Sequence, residues 1–124
     1  MAGKVILHVD DEPDVLALVK VVMEREGFKV VGVEGGQAAM EKLKALQGNV
    51  DVMLLDIMMP KMSGWEVLKR VRKDYPGVRV IFLSVVKINE TMLEDLKKDG
   101  LADYIQKPVS NQELVERVKK VAGS

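Results

Sequence analysis

The apolar run VILHV at residues 5–9 stops at Asp10, Asp11 and Glu12, and the run VDVMLL at 50–55 stops at a single acid, Asp56. Two later runs end in Ser84 and Lys107. Adjacent carboxylates repel, and burial favours their neutral form, so acids gathered at the ends of buried segments require a compensating positive charge. Asp10, Asp11 and Asp56, with no histidine or cysteine donor among them, make a hard, all-oxygen set suited to Mg²⁺ or Mn²⁺ and unsuited to zinc. Lys107 supplies further positive charge. Mg²⁺ uses few protein ligands and commonly takes phosphate oxygens, which makes a phosphoryl group the expected substrate. A carboxylate can itself act as nucleophile and form an aspartyl phosphate. Asp56, standing alone at the end of a central run, is the candidate.

Composition narrows the alternatives. The chain has 124 residues, a common size for one domain, and is read as a single domain over residues 1–124. Hydrophobic residues make up 48% and charged residues 31%, an ordinary globular balance. Basic and acidic residues number 19 each and no long basic run occurs, so no direct nucleic-acid contact is expected. The absence of cysteine removes disulfides and thiolate chemistry. Histidine occurs once, at His8, which rules out a histidine-based metal site or catalytic triad and reads as a partly buried strand residue. No apolar stretch approaches the ~18 residues of a membrane span and no signal-type segment precedes the first acids, so a cytoplasmic protein is expected.

The elements that must position these groups follow from periodicity. Short runs at 5, 28 (FKVVGV), 50, 78 (VRVIFL) and 102 (ADYIQ) read as strands. Between them lie helical spacings: Val15, Leu18, Val19 and Val22; Trp65, Leu68 and Val71; Met92, Leu93 and Leu96. Gly27, then Pro76 and Gly77, punctuate helix ends, and SNQE at 110–113 forms a capping box before the last helix. Glu12, Pro13 and Asp14 also suit a helix start. The repeated strand–helix order favours an α/β fold, a doubly wound parallel sheet covered on both faces. In such sheets binding sites form outside the carboxyl ends of the strands, where Asp10, Asp11, Asp56, Ser84 and Lys107 would converge.

The segments VDDE (9–12), LLDIMMPKMSG (54–64), LS (83–84), DYIQKP (103–108) and Gly100 resemble the receiver domains of two-component response regulators over essentially the whole chain. That resemblance implies a five-stranded flavodoxin-like (βα)5 fold with strand order 2-1-3-4-5. It implies that Asp56 accepts a phosphoryl group from a histidine kinase or phosphotransfer protein and that Asp11, Asp56 and the backbone carbonyl of Met58 ligate Mg²⁺, with Asp10 contributing through water. Lys107 would pair with the phosphoryl oxygens, and Ser84 would hydrogen-bond one of them. Tyr104 matches the aromatic whose rotamer reports activation, and Pro108 matches the family's cis proline. The output surface would be the fourth helix, fifth strand and fifth helix, presented to a downstream protein or output domain. A turnover enzyme is not expected, because the only reactions are phosphorylation and dephosphorylation of Asp56 itself.

Two positions depart from the family pattern. Val85 stands beside Ser84 where a small residue is usual, and Leu101 with Ala102 replaces a small-acidic pair. A flavodoxin-like phosphate binder is disfavoured because Asp10, Asp11 and Glu12 would repel the anion without a metal. A haloacid-dehalogenase-type phosphatase would need a second acid where Met58 stands. No GxxxxGK[ST] occurs, so the phosphoryl donor must come from elsewhere. The remaining alternative is a receiver-like module that binds protein without being phosphorylated.

Overall fold

Residues 3–123 are described by a computed structural model. Strands and helices alternate: β1 (Val5–Val9), α1 (Pro13–Glu24), β2 (Lys29–Val33), α2 (Gly36–Ala45), β3 (Val52–Leu55), α3 (Gly64–Asp74), β4 (Arg79–Ser84), α4 (Glu90–Lys98), β5 (Asp103–Gln106) and α5 (Asn111–Ala122). The strands form one parallel sheet in the order β2-β1-β3-β4-β5. The central strand β3 is buried throughout, which explains its unbroken apolar sequence.

Alternation along the strands divides the core into two layers. Leu7, Val9, Met53, Leu55, Val80 and Phe82 face α2 and α3, with Leu93 and Leu96 of α4 packed at the margin. Ile6, Val52, Leu54, Ile81, Leu83 and Ile105 face α1 and α5. The helix starts follow local chemistry. Pro13 opens α1, and the Ser63, Asn89 and Ser110 side chains accept the backbone N–H of Glu66, Met92 and Glu113 at the starts of α3, α4 and α5. Glu12 occupies the cap position of α1 but its side chain caps nothing; its own N–H donates to Asp10 Oδ1 at 2.9 Å.

Some expected apolar faces shift. In α1 the buried set is Val19, Val22 and Met23, whereas Leu18 is 56% exposed because it falls on the flank of that stripe. Helix α4 has no fully buried residue, and Met92 is 44% exposed. His8 is not partly but almost completely buried, at 1% exposure on the α1/α5 side of the sheet.

Candidate functional site

The site is built at the carboxyl edge of the sheet from the residues that follow four strands. Asp10 follows β1, Asp56 follows β3, Ser84 closes β4 and Lys107 follows β5. Backbone bonds fix these positions: Asp56 N–H donates to Val9 O at 3.0 Å, Asp10 N–H to Val33 O at 3.2 Å, and Lys107 N–H to Ser84 O at 2.9 Å. A glycine completes the frame. A Cβ on Gly64 would stand 2.3 Å from the Asp56 carbonyl oxygen, so only glycine lets α3 begin against the Asp56 backbone.

One oxygen from each of Asp10, Asp11 and Asp56 lies within 4.8 Å of the others. Asp10 is fully buried, Asp56 is 8% exposed, and Asp11 is exposed at the rim. Lys107 Nζ pairs with Asp10 Oδ2 at 3.0 Å. Burial, and then the neighbouring Asp10 charge, push the Asp56 carboxyl above its usual range, while Lys107 and the Ser84 hydroxyl oppose that shift. The arrangement therefore contains more negative charge than its own lysine neutralises. An all-oxygen donor set of this size fits a hard divalent cation such as Mg²⁺.

Around this centre the β4–α4 connection carries Val85, 62% exposed, beside an apolar groove of about 360 Å³ lined by Val15, Leu18, Leu83, Lys107 and Pro108. The Lys107–Pro108 peptide is cis. Met58, two residues beyond Asp56, leaves its side chain 65% exposed. The Tyr104 ring is buried, and its hydroxyl donates to the Val86 carbonyl. Tyr104 meets Phe82 edge-on at 6.0 Å between centroids, and Phe82 meets Trp65 at 5.1 Å, so three aromatics link β5 and β4 to the start of α3. Arg117 of α5 clamps β5 through Asp103, at 2.9 and 2.7 Å, and through Tyr104 O at 2.8 Å. Neither Gly64 as a steric necessity nor the Trp65–Phe82 contact follows from strand-end reasoning; a glycine at the entrance to α3 is the only sequence signal of the first.

Comparison with known proteins agrees with this geometry. Residues 6–119 match the sequence profile described as the response regulator receiver domain. The response regulator SaeR of Staphylococcus aureus is 32% identical over 116 residues, covering 94% of this chain and 49% of SaeR. The chain thus spans about half the length of the curated relatives it matches. Among solved structures, the response regulator protein TrrA from Thermotoga maritima in complex with Mg²⁺ and BeF is 36% identical with a TM-score of 0.79, covering 95% of this chain and 98% of TrrA. A chain of the CheX–CheY–BeF3–Mg²⁺ complex from Borrelia burgdorferi is 29% identical with a TM-score of 0.88, covering 97% of this chain and 90% of that one. The sheet order, the acids at the ends of β1 and β3 and the profile match over most of the chain lead to one conclusion: this chain belongs to the response regulator receiver domain family.

Proposed function

We propose that this receiver domain accepts a phosphoryl group on Asp56, with Mg²⁺ held by Asp11, Asp56 and the Met58 carbonyl, and with Asp10 contributing through water. The observation that carries the reading is the placement of Asp56: a nearly buried carboxylate at the end of the central strand, in a three-acid set, with the Lys107 charge acting on it. The cation, when bound, supplies charge neutralisation for the acids and the incoming phosphoryl oxygens. An Asp56 oxygen forms the new O–P bond as the donor's P–N or P–O bond breaks, and the leaving group takes up a proton. Lys107, held at the edge by Asp10 and acting electrostatically on Asp56, would pair with a phosphoryl oxygen there. Ser84 offers its hydroxyl to another. The protein partners are a histidine kinase or phosphotransfer protein as donor and a downstream protein or output domain as receiver of the signal.

The switch reading rests on Tyr104 and α4. Phosphate on Asp56 favours the conformer in which Ser84 moves inward and Tyr104 follows, a shift of population between existing states. Tyr104 is tied to Val86 in the β4–α4 connection, and α4 has no fully buried side chain to resist displacement. The output surface is therefore α4, β5 and α5. Incubation with Mg²⁺ and acetyl phosphate followed by intact-mass measurement tests the function: one added phosphoryl group is expected, absent in Asp56→Asn. No adduct from acetyl phosphate, phosphoramidate or a phosphorylated histidine kinase would leave the domain a non-phosphorylated binding module.

A further inference from the structure

Helices α3 and α4 lie side by side on one face of the sheet and enclose a groove of about 430 Å³ lined by Trp65, Leu68, Lys69, Arg72, Lys73, Leu96 and Asp99. Its two rims have opposite signs. On α3, Lys69 and Lys73 are exposed and four residues apart; on α4, Asp95 and Asp99 are exposed and four residues apart. Like charges at that spacing are neighbours on a helix surface and weaken it. Asp99 caps the carboxyl end of α4, where the helix dipole disfavours an anion, and Lys97 and Lys98 in the last turn offset part of that cost. The Arg72 guanidinium lies against Gly100, where a Cβ would stand 2.7 Å from it, and shares the groove with Asp99 without forming an ion pair to it. Among the described residues none of Lys69, Lys73, Asp95 and Asp99 forms an ion pair, although opposite charges stand across the groove. Apolar surface continues the groove upward: Trp65 on α3 is only partly buried, and Met92, one turn before Leu96 on α4, is 44% exposed.

We propose that this groove is a self-association surface whose occupant is a second copy of this chain. Both helices run in the same direction, because each follows a strand of a parallel sheet. A two-fold axis along the groove therefore lays α3 of each copy over α4 of the other, with the chains in the same vertical register. Lys69 and Lys73 then face Asp95 and Asp99 of the second copy, and Trp65 covers Met92. The two like-charge pairs, each self-repelling along its own helix, become mutually neutralising. An axis across the groove would instead set lysine against lysine, so the charge pattern selects one dimer. The pairs sit at the rim, so association is weak and falls with added salt. This proposal stands independently of phosphoryl chemistry at Asp56.

Charge reversal on the full chain provides the test. Sedimentation velocity at millimolar protein and low salt should show the parent protein dimerising, with a blue shift of the emission of Trp65, the chain's single tryptophan. Lys69→Glu/Lys73→Glu and Asp95→Lys/Asp99→Lys should each raise the dissociation constant at least ~10-fold. Mixing the two variants should restore a dimer, because each then carries what the other lacks. A parent protein that stays monomeric at low salt overturns the proposal, even if an acidic peptide or nucleic acid shifts Trp65 emission. So does a parent dimer that the two reversals leave intact, or variants that fail to pair when mixed. Unchanged thermal midpoints in both variants exclude misfolding as the cause of lost association.

Discussion

His8 lies in β1 beneath the site, 1% exposed, and among the described residues neither ring nitrogen has a hydrogen-bond partner. Burial is the main cause that lowers its pKa from 6.5 to about 4; the Asp10 charge opposes the shift and the Lys107 charge adds to it. The neutral ring is therefore kept in the fold while the unfolded chain takes up a proton. Between pH 6.5 and about 4 the unfolded state binds more protons, so stability is full above that window and falls as pH is lowered through it. At 1.36 kcal/mol per pKa unit, the loss contributed by this residue reaches about 3 kcal/mol near the lower end. Asp56 opposes this trend, because its raised pKa makes protonation of the folded state favourable as pH falls. A variant is needed to separate the two. His8→Leu keeps the volume similar and removes both unpartnered nitrogens, whose burial costs about 1–3 kcal/mol. Urea titrations in EDTA from pH 7.5 to 4.5 should show the variant at least as stable as the parent at neutral pH, and the gap should widen as pH falls. A gap that stays constant across the range would refute the argument that His8 is held neutral by burial.

Val85→Ala should shorten the phosphoryl lifetime by a fewfold to ~10-fold, the latter equal to ~1.4 kcal/mol, because a stiff β-branched side chain beside Ser84 borders the groove that reaches Lys107. Its 62% exposure limits the cost in stability to about 0.5 kcal/mol, so an earlier melt with an unchanged half-life would exclude the gate. Mg²⁺ should raise the unfolding free energy by about 2.7 kcal/mol at 100 times its Kd, and the unfolding midpoint with it, since it neutralises acids that repel one another in the fold. Asp56→Asn should raise the metal-free midpoint and blunt that response; a midpoint indifferent to Mg²⁺ in the parent would contradict the metal assignment. Gly64→Ala should destabilise the β3–α3 connection and slow phosphorylation by acetyl phosphate, because its Cβ would meet the Asp56 carbonyl oxygen at 2.3 Å. Unchanged kinetics and stability would mean that α3 is not fixed there.

What the sequence makes legible is what depends on strand ends. A parallel sheet brings the residues after its strands to one edge, so Asp10, Asp56, Ser84 and Lys107 can be placed together from the spacing of short apolar runs alone. Positions decided by contact across the fold are different. Leu18 and Val22 share a helical spacing, yet only Val22 is buried, because the stripe facing the sheet centres on Val19, Val22 and Met23. His8 reads as partly buried, and only its position on β1 between β2 and β3 encloses it. Lys107 follows β5 as expected, but its partner in this state is Asp10, a pairing set by the distance between strand ends rather than by local sequence. The opposed rims of the α3/α4 groove are likewise visible only when two helices distant in the chain stand side by side.

Of the three neighbouring carboxylates, Asp56 is the proposed phosphoacceptor. Phosphorylating the protein with acetyl phosphate and Mg²⁺, reducing the acyl phosphate with borohydride and mapping the resulting homoserine by peptide mass spectrometry tests it most directly. A single homoserine is expected in the peptide containing Asp56, with Asp10 and Asp11 unmodified. Label at Asp10 or Asp11, or a phosphorylated protein with no reducible acyl phosphate, would contradict it.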